Sequence, residues 1–154
     1  MKLLSAIGGG FAGAATLTLL HETIRRLTKK APRMDQLGME AIGKSLVAVK
    51  LPVPEEHTLF KITMAGDIIS NSLYYSVAAI GDEKKIMLRG ILLGLAAGLG
   101  AVYLPKPMGL SERLSNRTLE TKLMTVGLYL TGGVVASLAS KLIENSNKNK
   151  SEGL

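Results

Sequence analysis

Apolar residues gather along this chain into four long runs, at positions 3–20, 62–80, 86–104 and 123–140, and most of the charged residues fall between them. Each run approaches or reaches the roughly 18 to 20 residues that cross a bilayer's hydrocarbon core. The first and fourth hold no charge, the second holds only Asp67, and the third only Arg89 near its start. A soluble helix of such length normally shows a charged face. The pattern therefore predicts an all-α bundle of four transmembrane helices, with spans at 3–26, 60–80, 86–104 and 121–143. A soluble bundle with unusually greasy helices is the alternative.

Between the first two runs the period changes. Lys29-Lys30-Ala31-Pro32 ends the first helix, since proline disfavours helix at the residue before it. Met34, Leu37, Gly38, Ala41, Ile42, Ser45, Leu46 and Val49 then recur at three- and four-residue intervals, with Arg33, Asp35, Glu40 and Lys44 on the remaining face. This predicts a short amphipathic helix over 33–49, lying in the headgroup region or capping the bundle. Leu51-Pro52-Val53-Pro54 breaks it, and Glu55-Glu56-His57-Thr58 leads into the second span. Residues 1–144 form a single membrane domain in this reading, and 145–154 a polar, frayed tail without periodicity. Met1-Lys2 followed by Phe11-Ala12-Gly13-Ala14-Ala15 also has the form of a cleavable signal peptide. The apolar run continues through Leu17, Leu19 and Leu20, which favours a retained first helix.

Composition agrees with the pattern, at 47% hydrophobic residues and a mean hydropathy of +0.26 over 154 residues. Cysteine is absent, which removes disulfides, thiolate metal sites and thiol catalysis together. A net charge of +7 would suggest nucleic acid in a soluble protein. Here the basic residues flank apolar spans, so membrane orientation and anionic headgroups explain them instead, and nucleic acid is not implied. The loops at 21–61 and 105–122 share one side and carry twelve of the nineteen Lys and Arg residues. The positive-inside rule places those loops in the cytoplasm and both termini outside.

Aligning the second and fourth spans from Lys61 and Lys122 matches Gly66 with Gly127, Ser76 with Ser137 and Ala78 with Ala139. The chain can thus be read as a parallel repeat of two hairpins. Small residues recur four apart at Gly9 and Gly13, at Gly90, Gly94 and Gly98, and from Gly132 through Ala136 to Ser140. Such faces serve close helix packing, either within one bundle, the simpler reading, or in a homo-oligomer or larger membrane complex.

The candidate chemistry lies on the second span. Thr63, Asp67, Ser70, Asn71 and Tyr74 fall on one helical stripe, and an acid within an apolar span is by default a functional candidate. Asp67 is about 7.5 Å in from residue 62, which matches its layer to the end of the first span and the start of the fourth. The expected partners of Asp67 are His21 or Arg25, in a polar cluster with Glu22, Thr125 and Tyr129. Glu22 can also pair with Arg26 one turn on. Arg89 stands on the opposite side and is excluded as a direct partner.

His21-Glu22 opens like a zincin helix, but Arg25 stands where the second histidine belongs and His57 is isolated. Ser70 and Ser72 lack a placed base, and Gly8-Gly9-Gly10 has neither a preceding strand nor a following Lys-Ser/Thr. No metal, cofactor or catalytic residue is expected. His21-Glu22-Thr23-Ile24-Arg25-Arg26, Pro32-Arg33-Met34-Asp35-Gln36-Leu37-Gly38-Met39-Glu40, Gly66-Asp67-Ile68-Ile69-Ser70-Asn71-Ser72 and Leu104-Pro105-Lys106-Pro107 together resemble, in layout, small multi-pass bacterial membrane proteins of unassigned function. That resemblance implies no site residues. The sequence thus points first to a non-enzymatic interaction or accessory component. Its alternatives are a small transporter, channel or proton-linked sensor using Asp67, and a lipid-headgroup enzyme using His21, Glu22 and Asp67.

Overall fold

The computed structural model describes residues 2–152; Met1 of the N-terminal run and Gly153 and Leu154 of the polar tail lie outside the described residues. Among the described residues the chain is all-helical: α1 Lys2–Leu27, α2 Met34–Ala48, α3 Glu56–Ser76, α4 Ile86–Tyr103, α5 Arg113–Asn116 and α6 Leu119–Glu152. Two 3₁₀ turns, Val77–Ala79 and Glu83–Lys85, join α3 to α4.

Three stretches are long and apolar enough to cross a membrane: Lys2–Leu27, Glu83–Tyr103 and Leu119–Asn149. The expected second span does not reach that standard. Its helix, α3, has 21 residues and so extends about 31 Å, but it begins in Glu56, His57 and Lys61 and carries Asp67, Ser70, Asn71 and Ser72. It also ends at Ser76, where the expected span ran to residue 80. The tail differs in the other direction, because α6 continues as helix to Glu152. No Gly or Pro interrupts residues 134–152, and Lys148 pairs with Glu83 at 2.5 Å.

α6 is central. α1 packs along one side of it and α4 along another, whereas α3 packs chiefly along α1. Small residues make both long seams. Gly9 and Gly13 of α1 face Ala136, Ser140 and Gly132, while Gly90, Gly94 and Gly98 of α4 face Gly133, Leu130 and Val126. A Cβ added at Gly94 or Gly98 would stand 2.7 Å from the Cα of Leu130 or Val126, so only glycine permits this backbone approach. In lipid, where apolar burial gives little drive for association, such close packing holds helices together. These glycine faces are filled by the chain's own helices. The aligned helices α3 and α6 thus occupy unlike places, peripheral and central, and their matched serines differ too. Ser137 is buried and donates to Ile86 O at 3.0 Å, while Ser76 donates back to Leu73 O at 2.7 Å.

The centre of the bundle is Leu17, Tyr75, Leu128, Tyr129 and Ala136. Tyr75 is fully buried against Gly132, and its hydroxyl donates to Tyr129 O at 2.8 Å, satisfying the polar end of a ring that no water reaches. At one end of the bundle the two long connections are tied together. Arg33 N donates to Leu114 O at 2.7 Å, Thr121 Oγ1 to Lys30 O at 2.8 Å, and Ser111 N to Glu40 Oε2 at 3.0 Å. Lys44 and Arg117 reach the carbonyls of Gly109 and Lys29. At the other end Arg89 donates to Ala78 O and Asp82 O, each at 2.8 Å, closing the α3–α4 turn.

α2 packs on α3 and α5 and buries only Leu37. It ends in a Schellman arrangement, with Leu51 N donating to Leu46 O at 2.9 Å and Lys50 N to Val47 O at 3.0 Å. Lys50 sits at φ 60°, where glycine is the usual residue.

Candidate functional site

The polar stripe of α3 meets α1 on one side and a cleft on the other. Asp67 Oδ2 accepts from Thr18 Oγ1 at 3.4 Å, and Oδ1 accepts from Asn71 Nδ2 at 2.9 Å. The expected bonds from His21 or Arg25 are not formed. Arg25 is taken by nearer acceptors: its Nε and Nη2 donate to Glu22 at 2.6 and 2.7 Å, and Nη1 lies 3.6 Å from Asp35. His21 packs edge-on against Tyr129, with centroids 5.8 Å apart and planes at 73°. Neither of its buried ring nitrogens has a hydrogen-bond partner among the described residues. His21 and Asp67 nevertheless line one small cavity of about 20 Å³, together with Arg25, Asp35, Thr63 and Tyr129. That is the room of a single water.

The other stripe residues separate by role. Thr63 is buried beside Gly38 of α2 and donates to its own helix at Leu59 O, 2.8 Å away. Ser70 Oγ donates to Asp67 O at 3.2 Å, and Tyr74 Oη crosses to α4 to donate to Leu93 O at 3.0 Å. Thr125 does not join them. Its buried hydroxyl points to Ser115 O at 2.9 Å and Thr121 O at 2.8 Å, anchoring the α5 loop. Glu22 belongs to the arginine cluster and also meets Arg26 at 3.5 Å.

Asp67, Ser70, Asn71 and Tyr74 line a cleft of about 600 Å³ between α3 and α4. The α4 wall is Ala96, Ala97, Gly100, Ala101 and Leu104, whose small side chains leave the space open. Met34, Leu37 and Ala41 of α2, with Met108 and Leu110, cover its loop end. α4 packs on the Val77–Ala79 turn but only sparsely on α3 itself, so the two helices part along their length and the cleft opens sideways. At its far end the Tyr74 hydroxyl bridges the two helices by its bond to Leu93 O. The volume lies within the roughly 300 to 1,000 Å³ of small-molecule sites.

Sequence reasoning passed over Asp35, placing it only on a polar helix face. Its side chain is 7% exposed and lies 3.0 Å from Arg33 and 3.6 Å from Arg25. Burial pushes the Asp35 carboxyl up, but the hydrogen bond and charge of Arg33, the Gln36 amide and Arg25 outweigh it and hold the group below the ordinary carboxylate range. Glu40 is also held low, by Lys44 and then by the Ser111 amide. A carboxylate one residue into a helix that follows Pro-Arg was the available signal, since acids favour the first helical turn. Tyr75 was passed over as well, because Tyr74 alone fits the spacing of the stripe.

Among the described residues no group of three His, Asp or Glu side chains could hold a metal ion. Comparison with family models, with curated proteins and with solved structures gives no match to this chain.

Proposed function

We propose that this chain is a non-enzymatic, four-span protein of the bacterial inner membrane that acts as an accessory or interaction component by holding a membrane-resident amphiphile beside Asp67. The observation that carries this reading is the cleft itself, with apolar walls, a polar stripe at its back and a sideways opening between α3 and α4. A molecule already dissolved in the bilayer enters such an opening without passing through water.

α3 serves as the fourth span in this proposal. Its outer face carries exposed Ile62, Ile69 and Leu73, which suits lipid, while Asp67, Ser70, Asn71 and Tyr74 face the cleft. The bundled loops bearing most of the Lys and Arg residues face the cytoplasm and its anionic headgroups, with both termini outside. A homo-oligomer or larger membrane complex would use the outward faces, since the glycine seams are already filled.

A path across the membrane would need the cleft to continue past Tyr74, and the Tyr74–Leu93 bond opposes that. A headgroup enzyme would need His21 bonded to Asp67, and its ring packs on Tyr129 instead. Proton and cation flux through proteoliposomes tests the reading. Wild type and Asp67→Asn should both match empty vesicles; flux in wild type that Asp67→Asn abolishes would replace the binding role with transport.

A further inference from the structure

The hydroxyl hydrogens of Ser70 and Tyr74 beside Asp67 are already donated elsewhere, which restricts what the cleft can receive. The Ser70 hydroxyl donates to Asp67 O, the Tyr74 hydroxyl to Leu93 O, and one of the two Asn71 Nδ2 hydrogens to the Asp67 carboxylate. What these side chains still present to the cleft is mainly oxygen lone pairs. The facing wall of Ala96, Ala97, Gly100 and Ala101 offers no side-chain donor. No cation answers Asp67 among the described residues, since its contacts are the Thr18 hydroxyl and the Asn71 amide. Arg25 lies at the edge of the same region but is paired with Glu22 and Asp35.

Resting on the amphiphile-binding role proposed above, we infer that the cleft selects an amphiphile with a protonated amine head, seated on Asp67, Asn71 and Ser70, and a hydrocarbon tail leaving between α3 and α4. An ammonium supplies three donors to a site rich in acceptors. It also neutralises the acid in apolar surroundings, where an unpaired charge is costly. A carboxylate or phosphate head brings only further acceptors and negative charge. An alcohol brings one donor and no charge. The protein's overall charge of +7 favours anionic amphiphiles, so preference for an amine would have to come from the cleft.

Three twelve-carbon probes, dodecylamine, dodecanol and dodecanoate, separate head from tail, with binding to the full chain in neutral detergent read by native mass spectrometry. Dodecylamine should bind about tenfold or more tighter than dodecanol, and dodecanoate most weakly. Asp67→Asn should bring the amine down to the level of the alcohol. Ala97→Phe, which fills the α4 wall, should abolish binding of all three. If the probes bind wild type equally and Ala97→Phe blocks them, the amine assignment is overturned while the cleft role stands. If none binds wild type, or Ala97→Phe changes nothing, the cleft role itself fails. Should Asp67→Asn not fold, the wild-type ranking with Ala97→Phe decides both questions.

Discussion

The Asp35 clasp and the Asp67 cleft border the same small cavity, yet their carboxylates are answered in opposite ways. Asp35 receives two guanidinium groups from separate segments, Arg25 of α1 and Arg33 before α2. Asp67 receives one hydroxyl and one amide, and its remaining side faces an open cleft. A carboxylate with its charge neutralised and its lone pairs occupied fixes the chain; one left with hydrogen bonds and no cation keeps capacity for something else. In the proposed function the first acid serves the fold and the second the ligand.

Removing the clasp should have the largest effect. Asp35→Ala leaves Arg25 and Arg33 facing each other and should cost about 2 to 4 kcal/mol, seen as a lower thermal midpoint in nanodiscs. A negligible change would remove the clasp from the account. Acid should produce the same loosening without mutation. Because the Asp35 carboxyl is held low in the folded chain, its contribution is full above the ordinary carboxylate range near pH 4 and is lost as pH falls through and below it. Glu40, held low by Lys44, adds in the same direction. Thermal midpoints of wild type should therefore fall on acidification more than those of Asp35→Ala, and parallel curves would contradict the assignment.

Asp67→Asn should cost less than about 1 kcal/mol, since its amide oxygen can still accept one of the two neighbouring donors. A loss as large as that of Asp35→Ala would make Asp67 a second structural clasp. The smallest effect is expected away from both sites, at Lys50. Its left-handed backbone is strained with a side chain present, so Lys50→Gly should raise stability by up to about 1 kcal/mol. Unchanged or reduced stability would mean that the Lys50 side chain contributes a contact of its own.

Much of the helical frame was legible in the pattern. The expected helices over 33–49 and 86–104 lie close to α2 at Met34–Ala48 and α4 at Ile86–Tyr103, because proline and charge bound each apolar period sharply. The end of α6 was not legible, since hydropathy registers polarity there but not the absence of helix breakers. The polar stripe was legible as a stripe, from spacing alone. Its partners were not. Depth along the membrane normal ranks possible neighbours of Asp67 by layer, but it does not say which way each helix faces. Nor does it reveal that the loop returns Asp35 to compete for Arg25. The space beside Asp67 was equally hidden, because it depends on Ala97 and Ala101 lining the gap between α4 and α3 while Gly94 and Gly98 meet α6.

The sideways opening of the cleft is the claim on which the functional reading stands, and the absence of native cysteine makes it directly measurable. A nitroxide attached at Ala97→Cys in nanodiscs can be relaxed by oxygen, which concentrates in lipid, or by a water-soluble paramagnetic chelate. A lipid-facing cleft predicts strong relaxation by oxygen and little by the chelate. Strong relaxation by the chelate, or protection from both reagents, would contradict it.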